Sequence, residues 1–293
     1  MADLLCSARP YKNKRPEERG LDFIVVCAII GGMKNLPPLL EFDNVSVVLK
    51  DRKVLDSLSL KIGVGENVAI LGPNGSGKST LIKTITRQYY PYPGKAPSVF
   101  KIFGEERWNI FDLRSLLGIV SDDLQQLCRQ EISGEEIILS GFFSGIGLYK
   151  QKVTPEMKKK TREILDFLGI TRLAGKYMNE MSSGEARRIM IARALVHDPK
   201  ALLLDEPTNS LDLGALRKFQ AMLGKIERSG KSIILVTHRL LDIIPRISRV
   251  ILLKNGKLFM DGKKGAVLTS RNISALFDTP VRIREIKGYY YVG

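Results

Sequence analysis

Between Leu40 and Ile62 apolar and polar residues alternate, the period of strands with one covered face. Leu40-Glu41-Phe42-Asp43-Asn44-Val45 and Ser46-Val47-Val48-Leu49 carry the pattern, Lys50-Asp51-Arg52-Lys53 turns it, and Val54-Leu55 with Leu58-Ser59-Leu60-Lys61-Ile62 resumes it. Gly63 and Gly65 break it. An apolar strand is then predicted at Asn67–Leu71, a short strand at Val99–Phe103, and a buried strand at Leu116–Val120. Ala201-Leu202-Leu203-Leu204 and Ser232-Ile233-Ile234-Leu235-Val236 are continuous apolar runs, as expected of parallel strands covered on both faces. Two hairpins follow. Val250–Leu253 and Lys257–Met260 are split by Asn255-Gly256; Val281–Ile286 and Tyr289–Val292 are split by Lys287-Gly288.

The stretch from about 122 to 180 has a helical period instead. Glu135–Leu139 opens a helix that runs into the Gly- and aromatic-rich Gly141–Gly147. Thr154-Pro155 starts another, with Thr as cap and Pro at the first helical position. Met157, Ile164, Leu165 and Leu168 fall on one face of it, and Gly169 stops it. A further helix is predicted from Ala186 to Val196. The reading is a helical insertion in an α/β chain.

Composition narrows the classes. Apolar residues make up 44% of 293, ample for a core. The three cysteines, Cys6, Cys27 and Cys128, form no CxxC pair, which argues against a disulfide scaffold or zinc site. Two histidines, His197 and His238, are too few for a His-based metal centre. The net charge of +15 attracts nucleotides, acidic lipid headgroups or nucleic acid, or is simply a solvated basic surface. Phe23–Ile30 is apolar but far shorter than the roughly 20 residues that cross a bilayer. Glu17 and Glu18 spoil the basic start of a signal peptide. Residues 1–35 are therefore read as a disordered or non-native extension, with Met33 as the natural start.

Gly72-Pro73-Asn74-Gly75-Ser76-Gly77-Lys78-Ser79-Thr80 carries the chemistry. It fits the phosphate-binding loop pattern, with an apolar strand before it and a helix start after it. Gly75 and Gly77 can adopt angles that turn successive N–H groups inward as an anion nest. The following helix aims its positive end at the same point. Lys78 supplies a point charge for the β- and γ-phosphates, and Ser79 a hydroxyl for Mg2+.

An apolar strand ending in Asp205-Glu206 supplies what phosphoryl transfer needs next. Asp205 suits the Mg2+ shell, and Glu206 suits orientation and polarisation of the attacking water. His238, just past the strand at 232–236, falls where ligands bind in parallel sheets and can reach a γ-phosphate; a plain strand cap is the alternative. Ser182 and Gly184, before the helix at 186, suit a second anion site, and a capping box with Glu185 explains them equally well.

These segments, in this order, resemble the nucleotide-binding domain of ATP-binding cassette (ABC) proteins, over roughly Leu40 to Thr269. Gly72–Thr80 looks like the Walker A loop, Leu202–Glu206 like Walker B with its catalytic carboxylate, and His238 like the switch histidine. Asn209-Ser210-Leu211-Asp212 resembles the D-loop, with Ser210 and Asp212 at the dimer contact. Met181–Glu185 holds the place of the Leu-Ser-Gly-Gly-Gln signature, and Ala192-Arg193-Ala194-Leu195 extends that match. Three departures stand out. Met181, Ser183 and Glu185 replace Leu, Gly and Gln of the signature. Leu49 occupies the place of the adenine-stacking aromatic. Asp122 occupies the place of the Q-loop glutamine, with Gln125 and Gln126 nearby but out of register.

The resemblance implies a P-loop α/β ATPase domain over 36–293. It would have an N-terminal antiparallel β-subdomain, a parallel-sheet core and an inserted helical subdomain at about 122–185. It also implies ATP and Mg2+ as ligands, and a head-to-tail pair of cassettes in which the signature of one completes the Walker site of the other. One Walker A and one signature per chain make a homodimer the simplest arrangement. The leading expectation is the ATPase subunit of a membrane importer, held by transmembrane permease subunits at the cytoplasmic face. The ending, with Thr279-Pro280-Val281 and the last hairpin, resembles ATPases of metal-chelate, vitamin B12 and molybdate uptake. The alternatives are a soluble cassette ATPase acting on nucleic acid or the ribosome, which the charge favours, and a slow regulatory ATPase, which Leu49 and Asp122 permit.

Overall fold

The structure, a computed structural model, describes residues 37–94 and 96–293. The expectation for residues 1–35 lies outside the described residues.

Alternation makes the first sheet. β1 (Leu40–Leu49) and β2 (Arg52–Ile62) pair antiparallel around Lys50 and Asp51, both at positive φ. The chain then leaves through β3 (Val68–Leu71) and α1 (Lys78–Ile85). It returns as β4 (Val99–Ile102) on the free edge of β1, giving the order β2-β1-β4. α2 (Ile110–Leu116) leads directly into β5 (Leu117–Val120).

The second sheet takes the apolar runs. Between β5 and β6 (Ala201–Asp205) lie α3 (Asp122–Leu127), α4 (Gly134–Ser140), α5 (Pro155–Leu168) and α6 (Ser183–Ala194). α7 (Leu213–Arg228) then leads to β7 (Ser232–Thr237). β8 (Arg249–Lys254) and β9 (Lys257–Lys263) follow as a hairpin. The order is β5-β6-β7-β3-β8-β9, parallel except for β9. α8 (Lys264–Val267), α9 (Ser270–Phe277) and the hairpin β10 (Ile283–Ile286) and β11 (Tyr289–Val292) close the chain.

β3 and β7 are buried at every position, so successive side chains serve opposite layers. Val68 and Ile70 join Ile234 and Val236 in a core shared with α1 and the first sheet. Ala69 and Leu71 join Ile233 and Leu235 in a core shared with α4, α5, α6 and α7. Each buried Val, Leu or Ile among them contributes about 1.5–3 kcal/mol by leaving water. This central placement fixes the carboxyl ends of β3, β6 and β7 beside one another.

Several boundaries differ from the sequence reading. Leu116 ends α2 rather than starting β5, and Phe103 lies outside β4 with φ 49°. The helix predicted at Ala186–Val196 runs from Ser183 to Ala194, because Ser182 caps it one turn earlier. β10 starts at Ile283 rather than Val281. On α5 the buried face is Thr161, Ile164, Leu165 and Leu168, while Met157 is only half-buried. α2, α3 and α9 have no counterpart in the sequence reading; each is eight residues or fewer, too short to show a helical period, and each is set by a side-chain cap, Asn109, Ser121 and Thr269. Among the described residues no helix is long and apolar enough to cross a membrane.

Candidate functional site

The loop after β3 is held from two sides, by β7 and by a β8–β9 turn that β2 braces in turn. Gly72 N–H donates to the Thr237 carbonyl at 3.3 Å, tying the loop to the end of β7. Gly256 N–H, in the β8–β9 turn, donates to the Ser76 carbonyl at 2.9 Å, and Asp56 N–H donates to the Gly256 carbonyl at 3.0 Å. A Cβ at Gly256 would stand 2.2 Å from the Val54 carbonyl oxygen, so the approach needs glycine. Gly75 (φ 79°) and Gly77 (φ 103°) take the left-handed angles expected of an inward-turning loop. Gly77 caps α1, and Lys78 opens it.

Lys78 is 5% exposed, and its Nζ donates to the carbonyls of Gly72 at 2.9 Å and Pro73 at 3.0 Å. The ammonium therefore sits inside the loop's curve. Asn74, Gly75 and Ser79 face solvent, while Ser76 and Thr80 are buried.

Asp205 ends β6, and Glu206 follows at φ 43°, with its N–H donating to the Val236 carbonyl at 2.8 Å. That strained turn aims the Glu206 carboxylate back toward the loop. Its Oε1 lies 3.6 Å from Lys78 Nζ and 3.0 Å from His238 Nδ1, and its Oε2 accepts from Asn209 Nδ2 at 2.7 Å. Burial pushes the Glu206 carboxyl up, but the bonds from Asn209 and His238 and the charge of Lys78 outweigh it and hold the group below its ordinary value. Ionised, Glu206 can only accept, so His238 Nδ1–H donates.

Asp205 is the opposite case. Burial, then the facing Glu206 and Asp122 charges, push its carboxyl up to about 6, with Lys78 opposing. Burial also lowers Lys78, against Glu206 and Asp205. One ammonium thus serves two carboxylates, an excess of negative charge that fits a bound divalent cation, and Ser79, next to Lys78 in the chain, is exposed.

Asp122 opens α3, and its carboxylate pairs with the guanidinium of Arg187 on α6. Arg187 is 1% exposed, and its Nε and Nη1 have no partner among the described residues. Gln125 is buried and Gln126 exposed, while Leu49 is half-buried against the first-sheet core. The sequence reading missed Arg187, although an arginine among Ala186, Ile189 and Met190, all buried on α6, was a signal of a buried charge.

Ser182 caps α6: its Oγ accepts from Glu185 N–H at 3.3 Å, and Glu185 Oε2 accepts from Ser182 N–H at 3.2 Å. The capping box is present, and it uses the hydroxyl only as an acceptor. Glu185 is further held by Lys176 at 2.7 Å and Arg172 at 3.1 Å. Gly184 packs on α7, where a Cβ would stand 2.9 Å from Ala215 Cβ. Asp212 caps α7 through Ala215 N–H at 2.7 Å, and Ser210 is exposed at φ 62°. The chain thus gathers Lys78, Asp205, Glu206 and His238 at one crevice, at the carboxyl ends of β3, β6 and β7.

The ABC transporter family model matches residues 55–209. The uncharacterized ABC transporter ATP-binding protein YlmA of Bacillus subtilis is 35% identical over 247 residues, covering 84% of this chain and 93% of that protein. Among solved structures, cbiO1 of Clostridium perfringens, part of the ABC transporter complex cbiONQ, is 27% identical with a TM-score of 0.68, covering 82% of this chain and 94% of that one. The ATP-binding cassette MJ0796, a dimer in a post-hydrolysis state bound to ADP and Pi, is 26% identical with a TM-score of 0.61, covering 76% of this chain and 98% of that one. The phosphate loop, the carboxylates at the end of β6 and these likenesses together place the chain in the ABC transporter family, as an ATP-binding subunit that hydrolyses ATP on a P-loop α/β fold.

Proposed function

We propose that this chain binds ATP in the loop Gly72–Thr80, hydrolyses it through Glu206, and works as a homodimer that energises import of a small solute through membrane-spanning permease subunits. The observation that carries the reading is the convergence of Lys78, Glu206 and His238, with Glu206 Oε1 3.6 Å from the one and 3.0 Å from the other.

Lys78 and the loop N–H groups hold the β- and γ-phosphates. Glu206, ionised and fixed by Asn209, polarises the attacking water. His238, its Nδ1 committed to Glu206, turns Nε2 toward the γ-phosphate. Ser79 and Asp205 hold Mg2+, which when bound offsets phosphate charge. Ser182 and Gly184 face the ATP of the second copy, where the Ser182 O–H donates to phosphate. Ser210 and Asp212 lie at the contact between copies. Asp122 takes the Q-loop place, and residues 122–185 form the helical part that meets the permease.

Import of a metal chelate, cobalamin or molybdate is supported by the ending, Thr279-Pro280-Val281 with the β10–β11 hairpin, which resembles ATPases of such uptake systems. The chain then sits peripherally on the cytoplasmic face. The test is fractionation of the tagged protein, expressed at native level, with a high-salt wash, since a charge of +15 binds lipid and nucleic acid through attraction that salt screens. Retention with a polytopic partner supports the reading, and that partner's cargo tests the solute class. Complete release, with a complex altered by nuclease rather than detergent, would contradict it in favour of a nucleic-acid role.

A further inference from the structure

Asp242 is 1% exposed and lies in the short turn after His238. Both of its carboxylate oxygens are engaged. Thr208 Oγ1 donates to Oδ1, and Thr237 Oγ1 donates to Oδ2. The two threonines come from different arms of the site. Thr237 immediately precedes His238. Thr208 lies two residues past Glu206 and adjoins Asn209, whose amide grips Glu206 at 2.7 Å. Arg239 ties the same arms again: its Nη1 donates to the Thr208 carbonyl at 3.2 Å, and its N–H donates to Thr237 Oγ1 at 2.9 Å.

Packing alone does not require this arrangement. Thr208 and Thr237 are 1% and 0% exposed, places where valine has nearly the same volume and no polar atom to satisfy. Burying a carboxylate is costly unless it is well hydrogen-bonded. Burial does raise the Asp242 carboxyl above its ordinary value, against the pull of both threonines. That cost secures a joint with direction: two hydroxyls converging on one planar carboxylate fix both the spacing and the orientation of the segments that carry them.

We propose that Asp242 is a positioning residue for hydrolysis, which by gripping Thr208 and Thr237 sets Glu206 and His238 in register with each other. The inference rests on the roles proposed above for those two residues. Asp242 is buried with both oxygens held by the threonines, and it acts through them on the spacing of the 3.0 Å Glu206–His238 contact.

The test compares Asp242→Asn, Thr208→Val and Thr237→Val with the hydroxyl-keeping Thr208→Ser and Thr237→Ser, on the full chain, alongside Glu206→Gln. Turnover, ATP affinity and melting temperature are measured, together with the histidine ring signals in NMR. With two histidines in the sequence, His238 is assigned by its loss in His238→Gln. The expected result is a 10- to 100-fold lower kcat for Asp242→Asn and each valine variant, the order of loss for small misplacement of catalytic groups. ATP affinity holds, the serine variants keep most of their turnover, and the His238 signal moves while that of His197 does not. Unchanged kcat in a folded Asp242→Asn protein overturns the proposal. So does an equal loss of kcat, affinity and melting temperature, which marks a scaffold. If Asp242→Asn fails to fold, Thr208→Val against Thr208→Ser decides: equal turnover overturns the proposal, and slow valine with active serine supports it. A Glu206→Gln protein that still turns over refutes the role of Glu206 itself, and Asp242 is then judged by whether the His238 signal moves in Asp242→Asn.

Discussion

His238 Nδ1 stands 3.0 Å from Glu206 Oε1, joining the end of β7 to the turn after β6. The contact fixes the imidazole tautomer and leaves Nε2 facing away from the carboxylate. It also helps keep Glu206 ionised. Replacing His238 by alanine is expected to lower kcat by about 100-fold, the order of loss when a group that positions the reacting atoms is removed. ATP affinity should change far less, and equilibrium binding with a fluorescent analogue beside steady-state turnover checks the split.

Lys78 is the loop's internal brace as well as its charge. Its Nζ bonds two loop carbonyls and neighbours Glu206. Lys78→Ala is expected to weaken ATP binding by about 10- to 100-fold, equivalent to a charged hydrogen bond of about 1.5–3 kcal/mol. Titration calorimetry reads it directly. The melting temperature without nucleotide should fall only slightly, since removing the ammonium also removes a costly buried charge.

The Asp122–Arg187 pair predicts an asymmetry. Arg187 is buried with two nitrogens unpartnered among the described residues, whereas Asp122 is half-exposed. Asp122→Ala strands the guanidinium and is expected to cost about 1–3 kcal/mol. Arg187→Met removes the buried charge, keeps the packing and leaves Asp122 half-exposed to water rather than stranded, so it should be close to neutral. Urea unfolding of the two variants distinguishes them; equal losses would contradict the burial argument.

Glu185 gives a pH dependence. The hydrogen bond from Lys176, with support from Ser182, Lys176 and Arg172 against burial, holds its carboxyl down at about 2, from an ordinary 4.5. A lowered carboxylate contributes stability above its unfolded value and loses it as pH falls toward the folded one. Glu185→Gln should therefore be less stable than wild type near neutral pH, with the gap closing between about pH 5 and pH 2. Thermal melts across that range check it.

Much of this was legible in the sequence because each signal was local. Gly72–Thr80 specifies backbone angles, a charge and a helix start within nine residues, and the buried runs of β3, β6 and β7 fix a parallel sheet by themselves. What stayed hidden depends on contacts across the fold. Asp122 reads only as a departure until Arg187, 65 residues away, closes on it. Asn209 reads as part of a loop until the left-handed turn at Glu206 brings its amide to 2.7 Å from the carboxylate. Asp242 reads as an ordinary loop acid until Thr208 and Thr237 converge on it. The short helices α2, α3 and α9 escaped because their caps, not their periodicity, define them.

In the proposed function one chain holds only part of the site, and ATP joined to a second copy completes it. The direct measurement is the solution mass of the Glu206→Gln protein, by light scattering, with and without Mg-ATP. The predicted result is a monomer alone and a stable dimer with Mg-ATP, reverting when Lys78→Ala is added to the same chain. A Glu206→Gln protein that stays monomeric with ATP bound, or that dimerises equally without it, would contradict the account.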